Sequence, residues 1–90
     1  MLGNTNPLSP CAAFGQILRE LRRERGLSQE ALALKAGLQR NYISLIERGV
    51  NQPTITTVFK LASALAIRPS EVIARVERRA NYPSITLGRL

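Results

Sequence analysis

Histidine, aspartate and tryptophan are absent from this 90-residue sequence, and cysteine occurs only once. General acid-base catalysis at neutral pH usually needs histidine, or a carboxylate whose pKa is shifted in a cleft, and so short a chain has little room for a cleft. A tetrahedral zinc site requires three or four cysteine or histidine ligands, which Cys11 alone cannot provide. We therefore expect no enzymatic activity, no metal site and no cofactor.

The sequence also lacks a long apolar run and a basic start, so it predicts neither a membrane span nor a signal peptide. Cys11 has no partner for an internal disulfide and is interpreted as a small apolar residue of a loose arm. These absences predict a cytoplasmic protein.

Positive charge is plentiful: 13 Lys and Arg residues against 6 acidic residues give a net charge of +7. That excess favours a polyanionic partner, either nucleic acid or an anionic lipid surface.

Apolar residues make up 44% of the sequence, which is enough for a folded core, and they recur at helical spacing in five segments. The first helix is predicted over about 12–25, and a helix of barely two turns follows between Ser28 and Gly37. Three further helices are predicted over about 40–48, about 54–65 and about 69–78. The predicted fold class is therefore all-α.

The second and third predicted helices are joined by three residues that include Gly37, as a helix-turn-helix requires. Ile43 and Ile46 supply the buried side of the third helix, and its other side carries donors but no acid apart from Glu47. On that exposed side Arg40 can form two hydrogen bonds with guanine, Asn41 can form two with adenine, and Leu45 can pack against a thymine methyl group. The third helix is therefore predicted to enter the major groove of DNA.

The stretch from Gly15 to Val72 resembles the helix-turn-helix domain of phage repressors and Cro, the Xre or Cro family. The motifs that carry the resemblance are Leu27-Ser28-Gln29-Glu30, Ala36-Gly37-Leu38, Tyr42-Ile43-Ser44, Ile46-Glu47-Arg48-Gly49, Pro53-Thr54 and Pro69-Ser70-Glu71-Val72. The resemblance implies a compact repressor-like domain of five helices. It also implies a dimer that binds a double-stranded DNA operator with two half-sites.

The resemblance assigns roles to individual positions. Those that approach base edges are Gln39, Arg40, Asn41, Ser44 and Leu45. Those that contact phosphate are Gln29, Arg48 and Asn51. An ion pair between Arg22 and Glu47 ties the first helix to the third. Where relatives often carry Lys, Gln or Arg at the second base-facing turn, this chain has Leu45, so readout there is expected to be apolar or absent.

Several side chains have two interpretations. Tyr42 either covers the turn or contacts phosphate through its hydroxyl group. The arginines of the first helix, apart from Arg22, are interpreted as solvated surface. Those of the fifth helix are either solvated surface, which is preferred, or a second contact with nucleic acid. The apolar stripe of the fifth helix, together with Phe59, is either ordinary core or a two-fold interface, and the interface is preferred because few helices remain to cover it. The predicted interface residues are Phe59, Val72, Ile73 and Val76.

Residues 1–11 are predicted to form a flexible arm, residues 12–78 a helix-turn-helix domain for DNA binding and dimerisation, and residues 79–90 a tail. We predict a homodimeric transcriptional regulator that binds specific double-stranded DNA in the cytoplasm, on the nucleoid. The alternative is an antitoxin or another interaction module that binds a co-encoded protein.

Overall fold

The computed structural model describes residues 8–80, which form five α-helices and no strand. The helices are α1 (Pro10–Glu24), α2 (Gln29–Ala36), α3 (Arg40–Glu47), α4 (Ile55–Ala64) and α5 (Pro69–Ala80). The all-α prediction is confirmed. Within the described part of the chain, no helix is both long enough and apolar enough to cross a membrane.

Helices α1 and α5 extend further than the apolar spacing predicts. Helix α1 begins at Pro10 because the Ser9 hydroxyl accepts a hydrogen bond from the Ala12 N–H at 3.1 Å, and proline suits the first helical position. Pro10 and Cys11 therefore belong to α1 rather than to the predicted arm. Helix α5 continues to the buried Ala80. The remainder of the predicted arm and tail, residues 1–7 and 81–90, lies outside the described residues.

The turn between α2 and α3 has the conformation that the sequence predicts. Gly37 has a φ of 71°, in the left-handed region where a residue with a Cβ is strained, and it ends α2. The N–H of Leu38 then donates to the carbonyl of Ala33 at 2.9 Å, which closes the turn. At the other end of α2 the Ser28 hydroxyl accepts from the Ala31 N–H at 3.0 Å. These local bonds direct α3 away from α2 at a defined angle.

A single apolar core holds the helices together. Helix α1 packs against α3 and α5, while α2 packs against α3 and α4. The largest side chains that are fully buried are Leu18, Leu21, Leu32, Ile43, Ile46, Leu61 and Leu65. Burial of each such side chain contributes about 1.5–3 kcal/mol. Two of them belong to α3, so its inner side is firmly anchored while its outer side stays exposed.

The prediction that Val72 and Val76 form a dimer interface is wrong, because both are buried inside this chain, with 4% and 8% of their surface exposed. They lie one turn apart on α5, whose main neighbour is α1. The long helix α1 covers more of α5 than the apolar spacing of α5 indicates. Ile73 and Phe59, the other two predicted interface residues, are 45% and 58% exposed.

Candidate nucleic-acid interface

The outer side of α3 brings the predicted base-contacting residues together. Arg40 and Asn41 are exposed at its N-terminal end, and Ser44 and Leu45 are half-buried one turn further along. Helical spacing places Asn41, Ser44 and Leu45 on the side opposite the buried isoleucines, with Arg40 at the edge of that side. Gln39 is the N-cap residue of α3, but its side chain makes no capping hydrogen bond. Its amide therefore stays available next to the exposed guanidinium of Arg40.

The exposed side of α3 carries no negative charge, because the only carboxylate in the helix is buried. The side chain of Glu47 has 0% of its surface exposed, and it points at α1. Arg40 and Arg48, at the two ends of α3, are both exposed. The electrostatic potential of this surface therefore favours a polyanion, and its amide and guanidinium donors suit base edges and phosphate oxygens.

Arg22 and Glu47 form the bidentate ion pair that the family resemblance implies. Arg22 Nε donates to Glu47 Oε2 at 2.6 Å, and Arg22 Nη2 donates to Glu47 Oε1 at 3.0 Å. The third donor of the guanidinium, Nη1, reaches the carbonyl of Leu27 at 2.8 Å. One arginine therefore joins α1, the loop that follows it and the C-terminal end of α3.

The protonation states of this pair follow from its contacts. Burial raises the pKa of the Glu47 carboxyl, but hydrogen bonds from Arg22 and Gln29 outweigh burial and hold that pKa below its ordinary value. The hydrogen bond to Glu47 raises the pKa of Arg22. Both groups are therefore charged at neutral pH, and their attraction sets the orientation of α3 relative to α1.

Glu47 accepts hydrogen bonds from two further side chains, and neither contact is predicted from the sequence. Gln29 Nε2, at the start of α2, donates to Glu47 Oε1 at 3.1 Å. Arg19 Nε donates to the same oxygen at 3.4 Å. Arg19 lies one turn before Arg22 on α1, and that spacing was the available signal that both face α3. Arg19 is therefore not simply part of a solvated surface.

Gly15 is a positioning residue that the sequence argument did not single out. A Cβ at this position would lie 2.4 Å from the carbonyl oxygen of Ile46 and 2.7 Å from that of Glu47. The backbone of α1 therefore touches the last turn of α3 directly. A glycine in the middle of a helical pattern was the available signal, because it costs helix stability and needs a packing reason.

The loop after α3 is held by the start of α1. The Cys11 thiol lies 3.6 Å from the carbonyl oxygen of Gly49 and 3.5 Å from that of Asn51, within reach of weak S–H donation. The N–H of Asn51 donates to the carbonyl of Leu45 at 3.2 Å. Interpreting Cys11 as part of a loose arm was therefore wrong: it borders the loop that carries one of the predicted phosphate contacts.

Tyr42 is half-buried, and its ring packs against the apolar core beside the turn. This packing agrees with its interpretation as a cover for the turn. Its hydroxyl group makes no hydrogen bond with any residue between 8 and 80. A phosphate contact through that hydroxyl therefore stays a prediction.

A second exposed surface, formed by α4 and α5, is apolar. Ile55 and Phe59 on α4 and Ile73 on α5 are exposed by 71%, 58% and 45%. They line a shallow groove of about 410 Å³ between the two helices. Ile55 was missed from the sequence because it falls at the predicted start of the fourth helix, outside the apolar stripe. We call these three residues the α4–α5 apolar patch.

The sequence and fold of this chain are similar to those of known helix-turn-helix proteins. A helix-turn-helix family model, HTH_3, matches residues 18–72. The chain is 48% identical to the restriction-modification controller protein C.AhdI from Aeromonas hydrophila, over 69% of this chain and 94% of that one, with a TM-score of 0.67. Control protein C.BamHI from Bacillus amyloliquefaciens is 38% identical over 61 residues, which are 67% of this chain and 75% of that protein. The biofilm master regulator SinR, crystallised with DNA, is 33% identical over 67% of this chain and 97% of that one, with a TM-score of 0.64.

Proposed function

This chain belongs to the helix-turn-helix (HTH_3) family and is a DNA-binding transcriptional regulator, and we propose that it binds its operator as a homodimer. In this proposal the α3 helix of each subunit enters one of two successive major grooves, at half-sites about 34 Å apart. The observation that carries the proposal is the exposed, acid-free side of α3, whose donors stand opposite a fully buried anchor. The similarity to C.AhdI over nearly its whole length favours a restriction-modification controller among such regulators.

Base readout is assigned to the N-terminal half of α3. Arg40 would form two hydrogen bonds with a guanine, and Asn41 would do the same with an adenine. Gln39, whose side chain is not used for capping, would contact an adjacent base. Ser44 and Leu45 lie one turn deeper, where a hydroxyl donor and an apolar contact with a thymine methyl group are the available modes.

Phosphate contacts would frame the recognition helix on both sides. On one side of α3, Gln29 would contact a phosphate. Its side-chain amide has two hydrogens, of which Glu47 accepts one, so the second is available to a phosphate oxygen. Arg48 and Asn51 follow α3 and support the other side. Tyr42 would add a contact through its hydroxyl group. Such contacts position the protein on the duplex without reading its sequence.

We assign the dimer contact to the α4–α5 apolar patch instead of the buried stripe of α5. A chain of this size buries a modest fraction of its surface and gains stability from a partner subunit. A two-fold axis would pair Phe59 and Ile73 of one subunit with the same patch of the other, so each covers apolar surface on its partner. Ile55 extends the patch on α4.

Selection of bound sequences from random DNA, followed by sequencing, tests whether the protein binds a specific operator. The predicted result is a palindrome with the expected half-site spacing. Arg40→Ala and Asn41→Ala should then each lose about 1–3 kcal/mol of binding free energy on the selected operator and almost none on a mixed-sequence duplex. Both side chains are exposed, so thermal unfolding should be unchanged. Lys60→Ala, which removes an exposed cation from α4, is the control. Equal losses on the two duplexes would reject base readout by these residues.

Analytical ultracentrifugation tests the dimer. Phe59→Glu and Ile73→Glu should each give folded monomers, because both side chains are exposed within the subunit. The matched control is Leu34→Glu, which places the same charge on an apolar residue that is 83% exposed on α2, outside the patch. That control should stay dimeric. Dimers that persist in both patch variants would locate the two-fold contact elsewhere.

A further inference from the structure

The Glu47 carboxylate receives more hydrogen bonds at one oxygen than that oxygen can accept well. Oε2 accepts a single short bond from Arg22 Nε at 2.6 Å. Oε1 has three donors: Arg22 Nη2 at 3.0 Å, Gln29 Nε2 at 3.1 Å and Arg19 Nε at 3.4 Å. A carboxylate oxygen offers about two lone-pair sites, so the longest of these three contacts is the weakest. Arg19 is thus the donor that Glu47 can release most readily.

Two guanidinium groups share this one carboxylate, which leaves the cluster with a net positive charge. Arg22 has no free donor nitrogen for another partner, because all three are hydrogen-bonded and its side chain is only 10% exposed. The side chain of Arg19 is 43% exposed. Its terminal nitrogens, Nη1 and Nη2, have no acceptor among residues 8–80. The unbalanced charge of the cluster therefore lies on Arg19, at the surface.

Arg19 and Gln29 donate to the same oxygen, so the Arg19 guanidinium lies beside the amide that begins α2. We propose that Arg19 binds a backbone phosphate of DNA next to the one contacted by Gln29. On binding, its terminal nitrogens form a charge-assisted pair with phosphate oxygens, and Glu47 keeps Arg22 and Gln29 as partners. This inference rests on the proposed DNA-binding mode, and it adds a contact from α1 to those from α2 and α3.

The competing role for Arg19 is structural: it would only help to neutralise Glu47. The geometry argues against this role, because Arg22 already provides a bidentate partner for the carboxylate at shorter distances. A half-exposed pair at 3.4 Å adds little to stability in water. A phosphate, in contrast, can use the two terminal nitrogens, for which the described part of the chain offers no acceptor.

The salt dependence of binding separates the two roles. The probes are a mixed-sequence 30-base-pair duplex and the operator obtained by selection. With Arg19→Gln, the slope of log affinity against log salt concentration should flatten by about 0.9, so the loss of affinity between 50 and 200 mM salt becomes about 3.5-fold smaller. Affinity for both duplexes should fall by the same factor, since phosphate contacts do not depend on sequence. Arg19→Lys keeps the charge and should retain most of the slope.

Arg68→Gln is the matched control, because it makes the same substitution at an exposed arginine before α5 that has no contact with Glu47. Thermal unfolding is measured for each variant. An Arg19→Gln slope equal to that of the control, or a lowered melting temperature with an unchanged slope, would overturn the inference and leave Arg19 a structural residue. Absence of salt-dependent DNA binding by the unsubstituted protein would instead reject the proposed function itself, and this inference with it.

Discussion

Helix α1 is joined to α3 on one side and to α5 on the other, and a bidentate arginine-glutamate pair occurs at each junction. At the α1–α3 junction the side chains of Arg22 and Glu47 are 10% and 0% exposed. At the α1–α5 junction the side chains of Arg79 and Glu20 are 34% and 52% exposed, although both of their hydrogen bonds measure 3.0 Å. Two ion pairs of similar geometry therefore differ in their exposure to water.

Burial, more than hydrogen-bond geometry, decides how much such an ion pair contributes to stability. Water screens the exposed pair and competes for its hydrogen bonds, so exposed pairs contribute little. The buried pair cannot exchange its partners for water, so loss of one partner leaves an uncompensated charge. The α1–α3 junction also includes the close backbone approach at Gly15, whereas the α1–α5 junction depends on apolar packing. Of the two junctions, we expect only the α1–α3 junction to affect the orientation of α3.

The largest effect is expected from Glu47→Gln, which removes the buried negative charge and leaves Arg22 without a counter-ion. The free energy of unfolding should fall by about 3–5 kcal/mol, as measured by urea denaturation. Glu77→Gln, at an exposed carboxylate of α5 that makes no ion pair with residues 8–80, should change it little. A loss as small as that of the control would show that water reaches the α1–α3 junction.

Gly15→Ala should lower the free energy of unfolding by about 1–3 kcal/mol, because the new Cβ would overlap the carbonyl oxygens of Ile46 and Glu47. At an exposed helical site the same change would stabilise by up to about 1 kcal/mol, so the sign of the effect is informative. Arg23→Ala, at an exposed position of α1, is the comparison. A raised melting temperature for Gly15→Ala would mean that α1 can move away from α3 without cost.

Acid should weaken the α1–α3 junction. The folded-state pKa of Glu47 lies below the ordinary carboxyl value of 4.5, so its stabilising contribution is complete above that value and is lost as the pH falls through the lowered pKa. Urea denaturation from pH 7 down to pH 3.5 should show this loss in 0.5 M salt as well as in dilute buffer. The hydrogen bond from Arg79 lowers the pKa of Glu20 in the same direction, but salt should suppress that exposed contribution. An acid response that vanishes in high salt would assign it to surface carboxylates.

The smallest effect is expected at the α1–α5 junction. Glu20→Gln should reduce the free energy of unfolding by no more than about a quarter of the Glu47→Gln loss, since solvent screens the pair with Arg79. DNA binding should be almost unchanged, because this junction does not touch α3. If Glu20→Gln matched Glu47→Gln in the denaturation assay, burial would not be the property that separates the two pairs.

Local chemistry explains which parts of the fold and site could be predicted. The caps and glycines near α2 and α3, such as Ser28 and Gly37, act on neighbouring backbone groups, so their effects are visible in the sequence. The role of Val76 was missed because two packing partners compete for one apolar stripe, and periodicity cannot say whether α1 or a second subunit covers it. The contact of Arg19 with Glu47 spans 28 positions of the chain, and no local pattern encodes it.

Hydrophobic period and capping act over a few residues, so the amino-acid sequence alone predicts five helices, the helix-turn-helix and the side chains that α3 presents. The tertiary arrangement adds that the Glu47 side chain is fully buried, away from the exposed side of α3, and that Arg19 joins its cluster. It also brings the exposed side chains of Ile55, Phe59 and Ile73 together as the α4–α5 apolar patch. Burial and long-range pairing depend on how whole helices cover one another. That coverage is a property of their relative positions in space, which no short stretch of sequence contains.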